Sequence, residues 1–394
     1  MATLAEILKR HSNASRSDIE WLHLLTAEWQ LIADLVFADL VLWIKNSDDE
    51  FIAAGHARPS SAPTLFYRDI TGEVVNRQWA RDVKHAMQSG EISEQKDPLN
   101  FQGVPTRFAA YPVRRRASTQ SDEVVATPIA VVTRHTNLTD VKVPNKIQLN
   151  YQACGLDLLR MVAEGTFPDF NTPTGPKRGA PRANDGLLRL DVDGVVTFAS
   201  PNGLSIFNRL GTVGELEGKS LAANVTGLMR ATSSVDESLP LVLTGRAPWR
   251  ADMESKSVTI SVRAIPIKNA GERTGAIVLC RDVTDLRRQE RELITKDATI
   301  REIHHRVKNN LQTVASLLRI QSRRTESEDA KDALSQAIRR VSAIASVHDT
   351  LAEGVNQDVN FDDAMDRALK VVSELTSSPS KTVRTQIDGK FGQL

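Results

Sequence analysis

The run with the richest chemistry is Arg301-Glu302-Ile303-His304-His305-Arg306-Val307-Lys308-Asn309-Asn310-Leu311-Gln312. Its apolar residues keep helical spacing. With Ile300 at heptad position a, Val307 and Val314 also fall at a, and Ile303 falls at d. Leu311 and Leu318 lie one residue past d on the same broad face, and all of these are expected to bury. His305 then lands at f, on the opposite side. Lys308, Asn309 and Gln312, three, four and seven residues on, share its face. His304 lands at e, on the shoulder. An exposed imidazole flanked by ammonium and amide groups is a nucleophile with charge-stabilising donors beside it. Joint metal binding by the two histidines is disfavoured, because adjacent helical positions point about 100° apart.

These residues need a long, stiff helix. The same heptad runs upstream through Leu286 and Leu293, and strict seven-residue spacing from there to Val314 argues for a supercoiled helix. No proline interrupts residues 282–378. The spacing predicts one helix over 284–324, a turn at 325–328 and a second helix over 329–351. On that second helix Leu334, Ala337, Val341, Ile344, Val347 and Leu351 share a face. A hairpin with one apolar stripe per helix cannot bury both stripes alone. Two copies making a four-helix bundle, and hence a homodimer, are expected. His348, with no comparable run around it, reads as a bundle-edge residue.

At 394 residues the chain should hold roughly two to four domains. Lysine and arginine total 50 against 49 acids, so no bulk field points to direct nucleic acid binding or a membrane surface. Cys154 and Cys280 are far apart, which suits a reducing compartment and excludes a cysteine zinc site. The longest apolar stretch, residues 31–44, is too short to span a bilayer and carries Asp34 and Asp39. The N-terminus lacks a signal-peptide core. A cytoplasmic protein without membrane insertion is expected.

Upstream, residues 18–36 read as one amphipathic helix. Strand-like runs follow at 40–44, 51–54, 64–67, 108–113 and 124–133, then a long helix at 143–164. That order suggests an antiparallel sheet flanked by helices. His11, His23, His56, His85 and His135 are scattered here with no ligand-pair spacing, and read as ordinary surface or polar-core histidines. Residues 168–185, with four prolines and two glycines, read as a linker. A second domain follows. It has a strand at 186–190, a turn at Asp193-Gly194, a returning strand at 195–198 and a short helix at 202–210. An alternating strand at 257–267 and a last strand at 274–282 complete it. Phe198, Phe207 and Trp249 could line a pocket there, and filled core is the preferred reading.

Asp191-Val192-Asp193-Gly194-Val195, Ala199-Ser200-Pro201-Asn202 and the exit Arg281-Asp282-Val283-Thr284-Asp285 resemble the PAS fold. The 302–312 run resembles the phosphoacceptor box of sensor histidine kinases of the HisKA_2 type, related to the HWE group. The order of domains, with Glu28-Trp29-Gln30-Leu31 and Ala163-Glu164-Gly165-Thr166-Phe167-Pro168, is similar to a cytosolic actinobacterial branch of these kinases. The resemblance implies a multidomain α+β chain. Residues 1–167 would form a GAF-like sensor, 168–185 a linker and 186–283 a PAS domain. Residues 284–356 would form the signalling helix and dimerisation hairpin, and 357–394 the start of an ATP-binding domain.

The implied function is a two-component kinase that phosphorylates His305 from ATP and passes the group to an aspartate of a response regulator. That partner carries a receiver domain and an ANTAR-type, RNA-binding output. Asn309 and Lys308 would contact the phosphoryl group, and His304 is the second candidate acceptor. Glu302 is the candidate base, or makes only a helix-surface pair with Arg306. ATP and Mg2+ would be held by C-terminal elements that 357–394 only begin, so the chain as given is expected to be inactive alone. No G-x-x-x-x-G-K-[ST] loop replaces them. A non-catalytic dimeric ligand-sensing scaffold is the alternative.

Overall fold

The computed structural model describes residues 4–353 apart from 13, 119–120, 140–142, 170–178, 230–238 and 256. The chain divides into two compact units, Met1–Leu286 and Arg287–Leu394. The expected start of an ATP-binding domain at 357–394 lies outside the described residues, as does half of the proline-rich linker, residues 170–178.

The first unit opens with α1 (Leu4–His11), α2 (Arg16–Ala27) and α3 (Trp29–Val36), then β1 (Asp39–Lys45), β2 (Phe51–Ala57) and α4 (Arg77–Ser89). Next come β3 (Ser93–Glu94), β4 (Leu99–Phe101), β5 (Val104–Val113), β6 (Arg116–Ser118), β7 (Ser121–Val124), β8 (Ala130–Asn137) and α5 (Lys146–Glu164). Strands pair antiparallel in the order β2-β1-β8-β5-β3, with β4 on β5, and β6-β7 form a separate ribbon. The two-residue period of the strands sorts their side chains. Leu40, Leu42, Tyr111 and Val132 join the core under α2, α3 and α5. Val41, Trp43, Phe108 and Val131 point the other way, to Trp79, Val83 and Ala86 of α4.

Local sequence sets these boundaries. Ser15 and Asp18 close a capping box at the start of α2, and Asn145 and Gln148 do the same for α5. The expected single helix over 18–36 is two. The Glu28 N–H bonds Leu25 and Thr26 carbonyls, tightening the last turn of α2 before α3 begins. Residues 64–67 are a loop rather than a strand. The Asp39 carboxylate accepts from the Leu65 N–H at 2.6 Å and the Thr64 hydroxyl at 2.7 Å, so it takes the bonds a neighbouring strand would otherwise provide. The strand expected from 124 starts at Ala130. Helices α1 and α4 were not foreseen. α5 crosses α3 at Gly155, where a Cβ would stand 2.5 Å from Val36 Cγ1.

A second sheet follows in the same unit: β9 (Leu187–Leu190), β10 (Val196–Ala199), α6 (Pro201–Leu210), α7 (Leu221–Met229), α8 (Leu239–Leu243), β11 (Arg250–Ser255), β12 (Val258–Asn269) and β13 (Glu272–Asp282). Its order is β10-β9-β13-β12-β11, and β11 was not foreseen. Both faces are covered. Leu188, Leu190, Val262 and Val278 join Phe207 and Leu243 in a core under α6–α8. Leu187, Phe198, Ile265, Ile267, Ile277 and Leu279 face the other way and belong to the same core as α3 and α5. The two sheets therefore share one hydrophobic core with α5 between them. Polar contacts reinforce it. Arg263 donates to both oxygens of Glu28 at 2.9 and 2.8 Å. Arg189 donates to Asp157 at 2.7 Å, and the Tyr151 hydroxyl donates to the Ala183 carbonyl at 3.1 Å. Of the three aromatic residues considered for a pocket, Phe198 lies in this shared core, Phe207 in the second core, and Trp249 is partly exposed.

The second unit holds most of α9 (Thr284–Arg324), followed by a short turn and α10 (Glu328–Glu353). Both helices fall where the apolar spacing put them. Among the described residues no helix is long and apolar enough to cross a membrane.

Candidate functional site

All five candidate residues lie within two turns of α9. His305 is exposed and His304 is half-buried. Asn309, one turn after His305, is exposed, and Lys308 is half-buried. The Glu302 carboxylate is engaged: its Oε1 accepts from Arg306 Nη2 at 2.6 Å and Nε at 3.0 Å. That is the i, i+4 surface pair, with both side chains largely in solvent, where such pairs contribute little. The Thr313 hydroxyl donates to the Asn309 carbonyl at 2.9 Å, leaving the carboxamide of Asn309 out of that bond.

Coverage along α9 differs from the expected stripe. Ala315 is buried, and Val307, Leu311 and Leu318 are half-buried. On α10, Leu334, Ala337, Ile338 and Val341 are half-buried at helical spacing. Most of the apolar a/d positions are open: Ile300, Ile303, Val314 and Leu317 are 42%, 54%, 44% and 58% exposed, with the half-buried Val307 among them. A coiled-coil seam needs a second helix on it, and a single chain leaves it bare. α9 thus carries three faces: one half-covered, one apolar and open, and one polar with His305, Asn309 and Gln312. The side chain of His348 lies outside the described residues.

Sequence reasoning missed a different histidine pair. His56 on β2 and His135 on β8 flank β1 and are both deeply buried among aromatic rings. His56 Nε2 meets Asp39 Oδ1 at 3.1 Å, and His135 Nε2 meets Thr133 Oγ1 at 2.8 Å. Full burial pushes His135 down to about 3, with a smaller contribution from His56. Only strand order brings the two together, so no spacing rule could have paired them. Among the described residues no group of three or more His, Cys, Asp or Glu side chains is placed to hold a metal ion.

Residues 4–155 match the family described as histidine kinase PdtaS, GAF domain. Residues 181–288 match the PAS fold, and residues 302–377 match the HisKA_2 histidine kinase family. The sensor histidine kinase PdtaS of Mycobacterium tuberculosis is 39% identical over 406 aligned residues, which cover 100% of this chain and 78% of that protein. The Mycolicibacterium smegmatis PdtaS is 38% identical over 401, with the same coverage. A solved structure described as the sensor region of a sensor histidine kinase is 33% identical. It covers 73% of this chain and 100% of its own, with a TM-score of 0.60. Identity of this level along the whole chain, with the phosphoacceptor box inside the HisKA_2 match, means that the chain belongs to the PdtaS family of sensor histidine kinases.

Proposed function

We propose that the chain is the sensing and phosphoacceptor part of a two-component histidine kinase, with His305 as phosphoacceptor. The supporting observation is the exposure of His305 on the polar face of α9, away from the open a/d seam. A neutral imidazole nitrogen of His305 uses its lone pair to attack the γ-phosphorus of ATP. The P–O bond to ADP breaks and the ring proton leaves. ATP is the substrate and Mg2+ its counter-ion, both held by residues outside α9 and α10. On the acceptor side, the Asn309 carboxamide and the Lys308 ammonium stand within a turn of the nucleophile, where donors and positive charge lower the barrier of a charge-spread transition state. Glu302 precedes His305 by three residues and is the candidate for the ring proton, in competition with its bond to Arg306. In the second transfer, an aspartate oxygen of a response regulator attacks phosphorus and the P–N bond breaks. The regulator carries a receiver domain and an ANTAR-type output. The open a/d seam of α9 is closed by a second copy of the chain.

The test is labelling with γ-labelled ATP, using the full-length protein or adding a separately expressed kinase ATP-binding domain to this chain. His305→Gln should abolish labelling and His304→Gln should retain it; the reverse pattern moves the acceptor to His304. No labelling of the wild-type chain in either format would favour a non-catalytic sensing scaffold. Transfer of label from the chain to purified receiver domains identifies the regulator.

A further inference from the structure

A cavity of about 60 Å3 lies where α5 meets the second sheet. Met161 and Phe167 reach it from α5 and the turn after it, and Ile265 from β12. All three belong to the core that the two sheets share. Four charged residues also border it: Arg246, between α8 and β11, Arg263 and Lys268 on β12, and Asp169.

The charges around it do not balance. Glu28 accepts from both terminal nitrogens of Arg263, and the Asp169 carboxylate stands 3.8 Å from Arg116 Nη2. Each acid therefore has a guanidinium of its own. Arg246 and Lys268 have no carboxylate within ion-pair distance among the described residues. Two uncompensated cations thus border one small space, and like charges so gathered repel unless an anion lies between them. A second observation points to the same occupant. The Nε–H of Arg263 is buried and has no hydrogen-bond partner among the described residues, although both terminal nitrogens of that side chain are satisfied. Buried N–H groups almost always have a partner.

Ammonium and guanidinium groups only donate, so the occupant must bring acceptors as well as negative charge. At roughly 15 Å3 for each water-sized sphere the cavity takes about four waters, the scale of one compact oxyanion rather than of a ring system. The donors sit at three separate positions, on two different segments. A tetrahedral ion directs its oxygens several ways and can accept from all three, whereas a carboxylate presents two oxygens in one plane. A charge of about minus two on such an ion matches the two uncompensated cations.

We propose that this cavity binds one tetrahedral oxyanion of the phosphate class, held by Arg246, Lys268 and the Nε–H of Arg263. Bound there, the ion touches the end of α5 and β12 together and pins the second sheet to the first. The binding is independent of phosphotransfer and is measured directly, so its failure and that of the kinase assignment are separate results. The probe is inorganic phosphate, titrated into the full chain by calorimetry at constant ionic strength beside glycerol 3-phosphate and acetate. One phosphate per chain, bound about tenfold more tightly than acetate, is expected. Preference for inorganic phosphate over glycerol 3-phosphate assigns the site to the free ion; the reverse preference supports the same chemistry with a phosphate monoester as its source. Arg246→Gln and Lys268→Gln each remove one charged donor and should each weaken binding about tenfold. Their melting temperatures without phosphate should match the wild type, and if Lys268→Gln does not fold, Arg246→Gln, at an exposed position, decides. Arg68→Gln removes an exposed cation that does not border the cavity and should leave binding unchanged. The proposal is overturned if phosphate does not saturate at one per chain, if acetate binds as tightly, if Arg246→Gln keeps the wild-type affinity, or if Arg68→Gln weakens binding as much.

Discussion

Replacing Arg263 with methionine tests whether the two sheets of the first unit form one cooperative structure. Arg263 spans them, donating from both terminal nitrogens to Glu28 at the break between α2 and α3. Its side chain is 15% exposed and that of Glu28 18%. Methionine retains most of the aliphatic volume, so the change isolates the charge. Breaking a fully buried pair costs about 3–5 kcal/mol, because the remaining charge stays desolvated without a partner. Exposed pairs contribute about 1 kcal/mol or less. Residual solvent at both groups puts the expected loss between these limits, at about 2 kcal/mol. The readout uses two native probes. Cys154 lies on α5 and Cys280 inside the second core, and both are fully buried. Burial pushes the Cys154 thiol up to about 12 and raises that of Cys280 as well, so neither should react in the folded chain. Pulse labelling with N-ethylmaleimide across a urea series, read by peptide mass spectrometry, reports the unfolding of each half. In the wild type the two transitions should coincide. In Arg263→Met both should move to lower urea together, and a double-mutant cycle with Glu28→Gln should return a coupling above about 1 kcal/mol. A shift below about 0.5 kcal/mol, or wild-type transitions that separate, would refute the shared-core reasoning.

Other perturbations test other parts of the molecule. His135 stays neutral in the folded chain down to about pH 3, whereas the unfolded chain takes up a proton there below about 6.5. Its contribution is therefore complete above 6.5 and is lost as pH falls, at up to about 1.4 kcal/mol per pH unit. His135→Gln should flatten the stability profile between pH 6 and 4, measured by urea midpoints, and an unchanged slope would assign the acid sensitivity elsewhere. Gly155→Ala places a methyl group against Val36 and should cost about 1–3 kcal/mol; thermal melting that moves by less than a degree would show that α3 and α5 can separate freely. Leu317→Asp alters a side chain that is mostly in solvent in one chain, so monomer stability should change by less than about 0.5 kcal/mol. Sedimentation velocity should nevertheless show loss of dimer, and an intact dimer would place the interface elsewhere.

The helices of the second unit were legible because their apolar residues keep one period without a proline or glycine to interrupt it. The same reasoning placed β1, β5, β9, β12 and β13, whose strands alternate or run apolar between turn residues. It failed where a single side chain outside the element decides the outcome. Residues 64–67 have strand composition, yet the buried Asp39 carboxylate binds their backbone and hydroxyl groups and holds them as a loop. Helix α4 keeps only Trp79, Val83 and Ala86 on its inner face, too few to stand out in a polar segment. Strand β11 reads as polar because only alternate residues face the core. At the candidate site the exposure of His305 was legible from helical phase. The a/d stripe was legible too, and it stands open in a single chain because a second helix is needed to cover it. The His56 and His135 cluster needed strand order, which is a long-range property.

The core shared by the two sheets limits how such a sensor can be rebuilt. A chimera that cuts at residues 168–185 and joins the second sheet to a foreign input would strip α5 from Phe198, Ile265, Ile267, Ile277 and Leu279. Exposing five large apolar side chains forfeits roughly 10 kcal/mol of burial, comparable to the whole stability of a domain. It also leaves a continuous greasy surface that invites aggregation. Grafts that respect the architecture have their junction after β13 or carry α3 and α5 along. For recombination, whether by an engineer or by gene shuffling, the first 286 residues are a single cassette.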